Sequence, residues 1–289
     1  MIRETASRYL AVLAPAVWGS TYLVTTECLP PGRPMFAGLV RALPAGLVLL
    51  LIARGTLPRG SWIWRALLLG TLNIGLFFAL LFLAAYRLPG GIAAMVGSIQ
   101  PLLVIVLSAI ALGTPIRLVH VGASLLGTIG VILLLARSTS HLDPLGIVAA
   151  LAAACSMASG IVLTKMWGRP VGLLVFTGWQ LIAGGLVLLI PMLVIEGVPD
   201  HVTATNALGY AYLSLIGACL AYILWFRGIE QLGASAASFL SLVSPVVATV
   251  LGFLVLDQRL TAWQLAGMFS IITAILASQL TGRAPAPRR

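Results

Sequence analysis

The stretch Pro34-Met-Phe-Ala-Gly-Leu-Val-Arg41-Ala-Leu-Pro-Ala-Gly46-Leu-Val-Leu-Leu-Leu51-Ile-Ala53 is twenty residues, all apolar but for a single arginine. At 1.5 Å rise per residue, about twenty helical residues cover the ~30 Å hydrocarbon core of a bilayer. A surface helix of a soluble domain would carry a polar face, and this stretch carries none. It reads as a membrane span. Working outward, comparable runs fall near Tyr9–Glu27, Trp64–Tyr86, Gly90–Leu112, Leu118–Ala136, Pro144–Lys165, Gly172–Ile195, Ala207–Arg227, Ala234–Leu256 and Ala262–Leu280, which makes ten spans with the first.

Composition agrees with that count. Of 289 residues, 60% are hydrophobic and 8% charged, against roughly 45–50% and about 25% in soluble domains. With a mean hydropathy of +1.09, the chain cannot hide its apolar surface from water, which excludes a soluble enzyme and a disordered regulator. The net charge of +10 comes from sixteen Arg and one Lys scattered singly between apolar runs. No basic stripe follows a phosphate backbone, so a nucleic-acid partner is excluded as well. Cys28, Cys155 and Cys219 are too few and too scattered for a disulfide framework, and with three His they show no metal-ligand spacing. No cofactor and no metal are expected; the partners are the lipid bilayer and a small-molecule substrate, and the oligomeric state is left open.

Counting Arg and Lys on alternate sides of the spans gives twelve against four, with Arg41 inside its span; the positive-inside rule then places both termini in the cytoplasm. Trp62, Trp64, Trp167, Trp225 and Trp263 fall at span ends and read as interfacial belt residues. The break at Arg137–Asp143 divides the chain into residues 1–140 and 141–289, five spans each. Halves with odd span numbers insert in opposite directions, which is the arrangement of an inverted repeat. Gly46-Leu-Val-Leu-Leu-Leu51 echoes Gly185-Leu-Val-Leu-Leu-Ile190 and sets Arg41 opposite Gln180, while Gln100-Pro101 answers Ser244-Pro245 at an offset of 144. Each proline removes a helix hydrogen bond, so Pro101 and Pro245 are candidate paired hinges. The spacing of Ala266, Ser270, Ala274 and Ser278 suggests a helix-packing face.

Polar or aromatic residues near the midplane are the candidate site, because lipid contact does not select them. Trp18 and Tyr22 share a face of the first span; Asn73 and Phe77 lie in the third, Met95 in the fourth, Trp179 in the seventh, Tyr222 in the eighth and Ser244 in the ninth. Together they describe an apolar, ring-lined substrate pocket with neutral hydrogen-bonding groups in a central cavity between the halves. Arg41 is the intramembrane cation and carries a gating or cavity-charge reading, with snorkelling to the surface as its alternative. All seven acids fall in loops or at span ends, so a midplane carboxylate for proton or sodium coupling is missing. The sequence also lacks HExxH, a nucleophile elbow and a filter-like glycine run, which argues against an intramembrane enzyme or a channel.

Trp18-Gly-Ser-Thr-Tyr22, the Arg of the second span and the late-span Pro245 followed by Asp257-Gln-Arg-Leu260 resemble the EamA family of the drug/metabolite transporter superfamily. The resemblance covers nearly the whole chain. It implies ten helices in two inverted five-helix halves and export of small metabolites. More narrowly it is similar to YddG-type aromatic amino-acid exporters of bacterial inner membranes, which implies outward movement of aromatic and other neutral amino acids. Gly113-Thr-Pro115 departs from the family pattern, which often keeps a Glu there. The expectation is an all-α, multi-pass inner-membrane exporter working by alternating access as a facilitative uniporter. The alternative is a broader metabolite or drug exporter with proton antiport.

Overall fold

The computed structural model describes residues 10–30, 32–87, 96–135, 143–255 and 261–281. Among them all regular structure is helical: α1 Leu13–Cys28, α2 Pro34–Ile52, α3 Ser61–Gly70, α4 Leu76–Arg87, α5 Gln100–Leu112, α6 Leu118–Leu135, α7 Pro144–Trp167, α8 Leu173–Pro191, α9 Ala204–Ser214, α10 Ala221–Leu232, α11 Ala234–Leu240, α12 Val243–Val255 and α13 Ala262–Thr281. Several of these join end to end, and seven helices among the described residues are long and apolar enough to cross a membrane. The chain is a multi-pass membrane protein.

Local chemistry sets the helix starts. Pro34 supplies the fixed φ of a first turn, and the Glu196 carboxylate, at the end of the π-turn Met192–Glu196 that follows α8, accepts from the Met35 and Phe36 N–H groups at 2.8 and 2.9 Å. Asp143 caps α7 by accepting from the Leu145 N–H at 2.8 Å, with Pro144 behind it. Thr203 and Asn206 form a capping box on α9. Gly113, at φ 64°, takes the left-handed turn that ends α5.

Two features depart from uniform spans. First, α3 runs into α4 through a π-turn at Thr71–Gly75, and α9 runs into α10 through another at Leu215–Leu220. Single π-turns in α-helices are uncommon and shift the register of one stretch against the other. Second, the ninth span is not one rod: α11 stops at Leu240, a turn follows, and α12 begins at Val243 with Pro245 in its first turn. Pro101 likewise sits in the first turn of α5, after a turn at Ser98–Ile99. Both prolines thus start a helix segment, a position where the missing N–H costs nothing, instead of kinking a continuous one. Of the expected fourth span, residues 90–95 lie outside the described residues.

The packing is close where glycines meet. The α2–α8 and α6–α13 pairs are the most extensive contacts among the described residues. A Cβ on Gly46 would lie 2.9 Å from the Gly178 carbonyl oxygen, and one on Gly130 would lie 2.8 Å from that of Gly267, so both helix pairs touch backbone to backbone. On α13 the face turned to α6 uses Gly267, Ile271, Ala274 and Ser278. Ala266 is exposed, and the Ser270 hydroxyl bonds back to its carbonyl, so the expected four-residue stripe is corrected at its first two members. A strict period of four drifts around a helix of 3.6 residues per turn, which is the reason.

Candidate functional site

The site is built around two of the three π-turns among the described residues, Thr71–Gly75 and Leu215–Leu220; the third, Met192–Glu196, follows α8 and lies apart. The Gly217 carbonyl, in the second, accepts hydrogen bonds from the Trp18 indole Nε1 of α1 at 3.0 Å and from Arg41 Nη2 of α2 at 2.9 Å. Arg41 is only 7% exposed, and its guanidinium also stands 5.0 Å from the centre of the Phe78 ring. It therefore points into the protein, and the snorkelling alternative does not apply. An arginine at such depth is costly unless dipoles and π-faces surround it, and a π-turn carbonyl and an aromatic face do so here.

The first π-turn carries a matching set. Asn73 Nδ2 donates to Gln180 Oε1 of α8 at 2.8 Å and to the Thr164 hydroxyl of α7 at 3.2 Å. Ser156 of α7 donates to the Leu72 carbonyl at 2.9 Å, and the Tyr222 hydroxyl reaches the Asn73 carbonyl at 3.4 Å. Asn73 and Gln180 have no exposed surface. Each π-turn thus takes one donor from a helix of the other half in the Trp18 or Ser156 position, and one polar partner in the Arg41 or Gln180 position.

A ladder of rings leads away from this centre. Trp18 lies 5.2 Å from Tyr222 and 5.1 Å from Trp225; Tyr222 contacts Phe226 at 5.7 Å, Phe226 contacts Phe176 at 6.0 Å, and Phe176 contacts Trp62 at 6.0 Å. Trp179 ends the ladder against Trp62 and donates its indole N–H to the Thr56 carbonyl at 2.7 Å, in the loop after α2. It stands apart from the Trp18 centre. Phe77 packs beside Phe78 at 5.7 Å. Ser244, at the start of α12, lies against α1 where a Cβ on Gly19 would come within 2.6 Å of the Ser244 carbonyl oxygen. Met95 and the Tyr22 side chain lie outside the described residues.

Asn73, Gln180 and Tyr222 are therefore closed in by neighbours and border no water-sized space in this conformation. Space is found farther along the ladder. An open cleft with an accessible volume of about 120 Å³ sits between the C-terminal ends of α7 and α10 and the start of α8, lined by Thr164, Lys165, Arg169, Phe176, Phe226 and Glu230 among others.

Trp225 corrects the belt reading. It is 0% exposed, tilted against the Trp18 ring at 58°, and its indole N–H has no partner among the described residues. The signal was in the sequence: Tyr222, Trp225, Phe226 and Ile229 fall at i, i+3, i+4 and i+7, the buried stripe of α10, while Arg227 and Glu230 take the exposed face. By contrast Trp263 and Trp64 are exposed, as an interfacial belt requires. The described acids Glu27, Asp143, Glu196, Asp200 and Glu230 all lie in loops or in the end turns of helices.

Helices long and apolar enough to cross a bilayer, buried polar bridges between them, a buried arginine in α2 and acids confined to helix ends and loops among the described residues fit a multi-pass membrane transporter. The EamA-like transporter family matches this sequence twice, over residues 7–136 and 144–279. The chain belongs to that family of membrane transporters. It is 50% identical over 271 residues to protein PecM of Dickeya dadantii (strain 3937), covering 93% of this chain and 91% of that one. It is 28% identical over 285 residues, 92% of each chain, to a protein of Escherichia coli (strain K12) named "Probable amino-acid metabolite efflux pump". A solved crystal structure matches with a TM-score of 0.83 at 22% identity, covering 96% of this chain and 98% of that one, a likeness of fold.

Proposed function

We propose that this chain exports neutral amino acids, aromatic ones included, by alternating access as a facilitative uniporter. It would do so as ten spans in two inverted halves, residues 1–140 and 141–289, with both termini in the cytoplasm of a bacterial inner membrane.

The inverted repeat is supported by how helices pair. Exchanging the halves turns the α4–α7 contact into that of α10 with α1, and the α5–α7 contact into that of α12 with α1; the α2–α8 and α6–α13 pairs map onto themselves. The polar bridges obey the same exchange: Asn73 and Gly217 are 144 residues apart, as are Pro101 and Pro245. Two bundles related this way can rock against each other about their shared boundary.

The observation that carries the substrate reading is the double use of the Gly217 carbonyl by Arg41 and Trp18. A guanidinium and an indole N–H converging on one acceptor make a site for a carboxylate, which accepts charge-assisted bonds more strongly than an amide oxygen does. In the loaded state the substrate carboxylate takes these donors in place of Gly217, and its side chain meets the Trp18, Tyr222 and Trp225 rings. The E. coli relative's name supports amino acids as the cargo class. The end positions of the described acids support movement without a coupling carboxylate.

The experiment is flux of labelled phenylalanine and leucine from liposomes that contain only this protein. Equilibration of label without an ion gradient is expected. No flux above empty vesicles defeats the export reading, and accumulation driven by a proton gradient defeats the uniport reading.

A further inference from the structure

We propose that the cleft between α7, α8 and α10 is a loading site for zwitterionic solutes, separate from the Arg41 centre and on the cytoplasmic face in the orientation given above. This deepens the export reading and rests on it for the direction of movement.

Three features converge in the cleft. Its mouth carries both charge signs: Arg169 Nε stands 3.2 and 3.3 Å from the two Glu230 carboxylate oxygens, and Lys165 Nζ donates to the Glu230 backbone carbonyl at 2.6 Å. Its back wall is apolar, formed by Leu173, Ile229 and the mutually edge-on rings of Phe176 and Phe226. Its inner wall includes Thr164, whose hydroxyl is the acceptor for Asn73 at the first π-turn. A guanidinium on the Glu230 carboxylate, with the Lys165 ammonium beside it on the Glu230 backbone carbonyl, offers partners for an amino acid's carboxylate and ammonium, and the ring wall matches its side chain.

The pair across the mouth is easily opened. Side chains of Arg169 and Glu230 are 36% and 48% exposed, and ion pairs so placed are weakly held because water competes for both partners. An entering zwitterion exchanges that pair for two of its own, so charge stays balanced while the Phe176 and Phe226 wall becomes its apolar contact. Thr164 then connects the loaded cleft to Asn73 and Gln180, so occupancy of the cleft and the boundary between the halves are joined by one hydrogen-bonded chain.

The test is equilibrium binding of labelled phenylalanine to the full chain in nanodiscs, with 2-phenylethylamine and 3-phenylpropionate as displacers. Arg169→Gln should weaken 3-phenylpropionate about tenfold and leave 2-phenylethylamine unchanged, and Glu230→Gln should do the reverse, each loss being one charge-assisted contact. Arg169→Lys should restore part of the carboxylate binding, which separates recognition from a folding defect. Arg87→Gln, which breaks the Arg87–Asp143 pair at the other end of the bundle, should change neither. No phenylalanine binding by the unmodified chain, no effect of either cleft variant, or an equal loss with Arg87→Gln overturns the proposal. Flux measured on the same preparations keeps the two readings apart. Charge-selective binding without flux leaves the cleft standing and the export reading fallen, and flux with insensitive binding does the opposite.

Discussion

The two π-turns occupy equivalent places and do unlike chemistry. At Leu215–Leu220 a backbone carbonyl with no side chain beside it, that of Gly217, is met by a permanent cation and an indole. At Thr71–Gly75 the equivalent position is a carboxamide, Asn73, met by a second carboxamide, Gln180, and a hydroxyl. The scaffold is repeated while the charge is not. In the proposed export cycle the half that receives the Arg41 cation would recognise an anionic group, and its neutral counterpart would serve as a hydrogen-bonded bearing. The glycine in one turn leaves room for the guanidinium, and the asparagine in the other fills that room itself.

Substitutions should break this contrast in a graded order. The largest effect is expected at Gly160, where an added Cβ would overlap the Asn73 carboxamide. Gly160→Ala must push α7 from the first π-turn and should cost about 2 kcal/mol, read as a lower unfolding midpoint in detergent. Gly217→Ala is its counterpart: the nearest atom to the new Cβ is Arg41 Nη2 at 3.6 Å, ordinary contact, so the change should stay within about 0.5 kcal/mol. Equal sensitivity of the two positions would show that the turns are not differently filled.

Arg41→Ala should cut amino-acid flux roughly tenfold in protein that still elutes as a folded species, because it removes the charged donor and leaves the bundle's apolar packing in place. Gln180→Ala, its symmetry counterpart, should act on stability, at about 1 kcal/mol for the partner withdrawn from buried Asn73, and only secondarily on flux. A flux loss as large at Gln180 as at Arg41 would mean that both turns carry substrate.

The smallest effect is expected outside the bilayer. The Arg87 guanidinium and the Leu145 N–H hold the Asp143 carboxyl below the usual carboxylate range. A lowered value in the folded state means that this contact contributes at neutral and mildly acidic pH and fades as pH falls through the lowered value. Asp143→Asn should therefore lower the thermal midpoint slightly at pH 7, and the gap from the unmodified chain should close only in strong acid. A gap that widened on acidification would reverse the assignment.

Much of this was legible in the chain itself. Apolar length gave the membrane class, and the Gly46 and Gly185 strings paired Arg41 with Gln180, residues that indeed contact opposite π-turns. What escaped follows from physics that hydropathy does not encode. A π-turn changes backbone register without changing composition, so the role of Gly217 had no signature. Trp225 was assigned to the interface because it stands near the end of an apolar run, although α10 continues to Leu232 and turns the indole inward. Lys165 and Arg169 entered only the orientation count and Glu230 only the tally of acids at span ends, since three charges at span ends look solvated until the helices bring them around one cleft.

The most direct test of the whole account is the initial rate of labelled phenylalanine movement through liposomes holding only this protein, unmodified or as Arg41→Ala, with folding monitored in parallel. The account predicts gradient-independent flux in the first and roughly a tenfold loss in the second without unfolding. Absence of flux in the unmodified protein, or undiminished flux in Arg41→Ala, would contradict it.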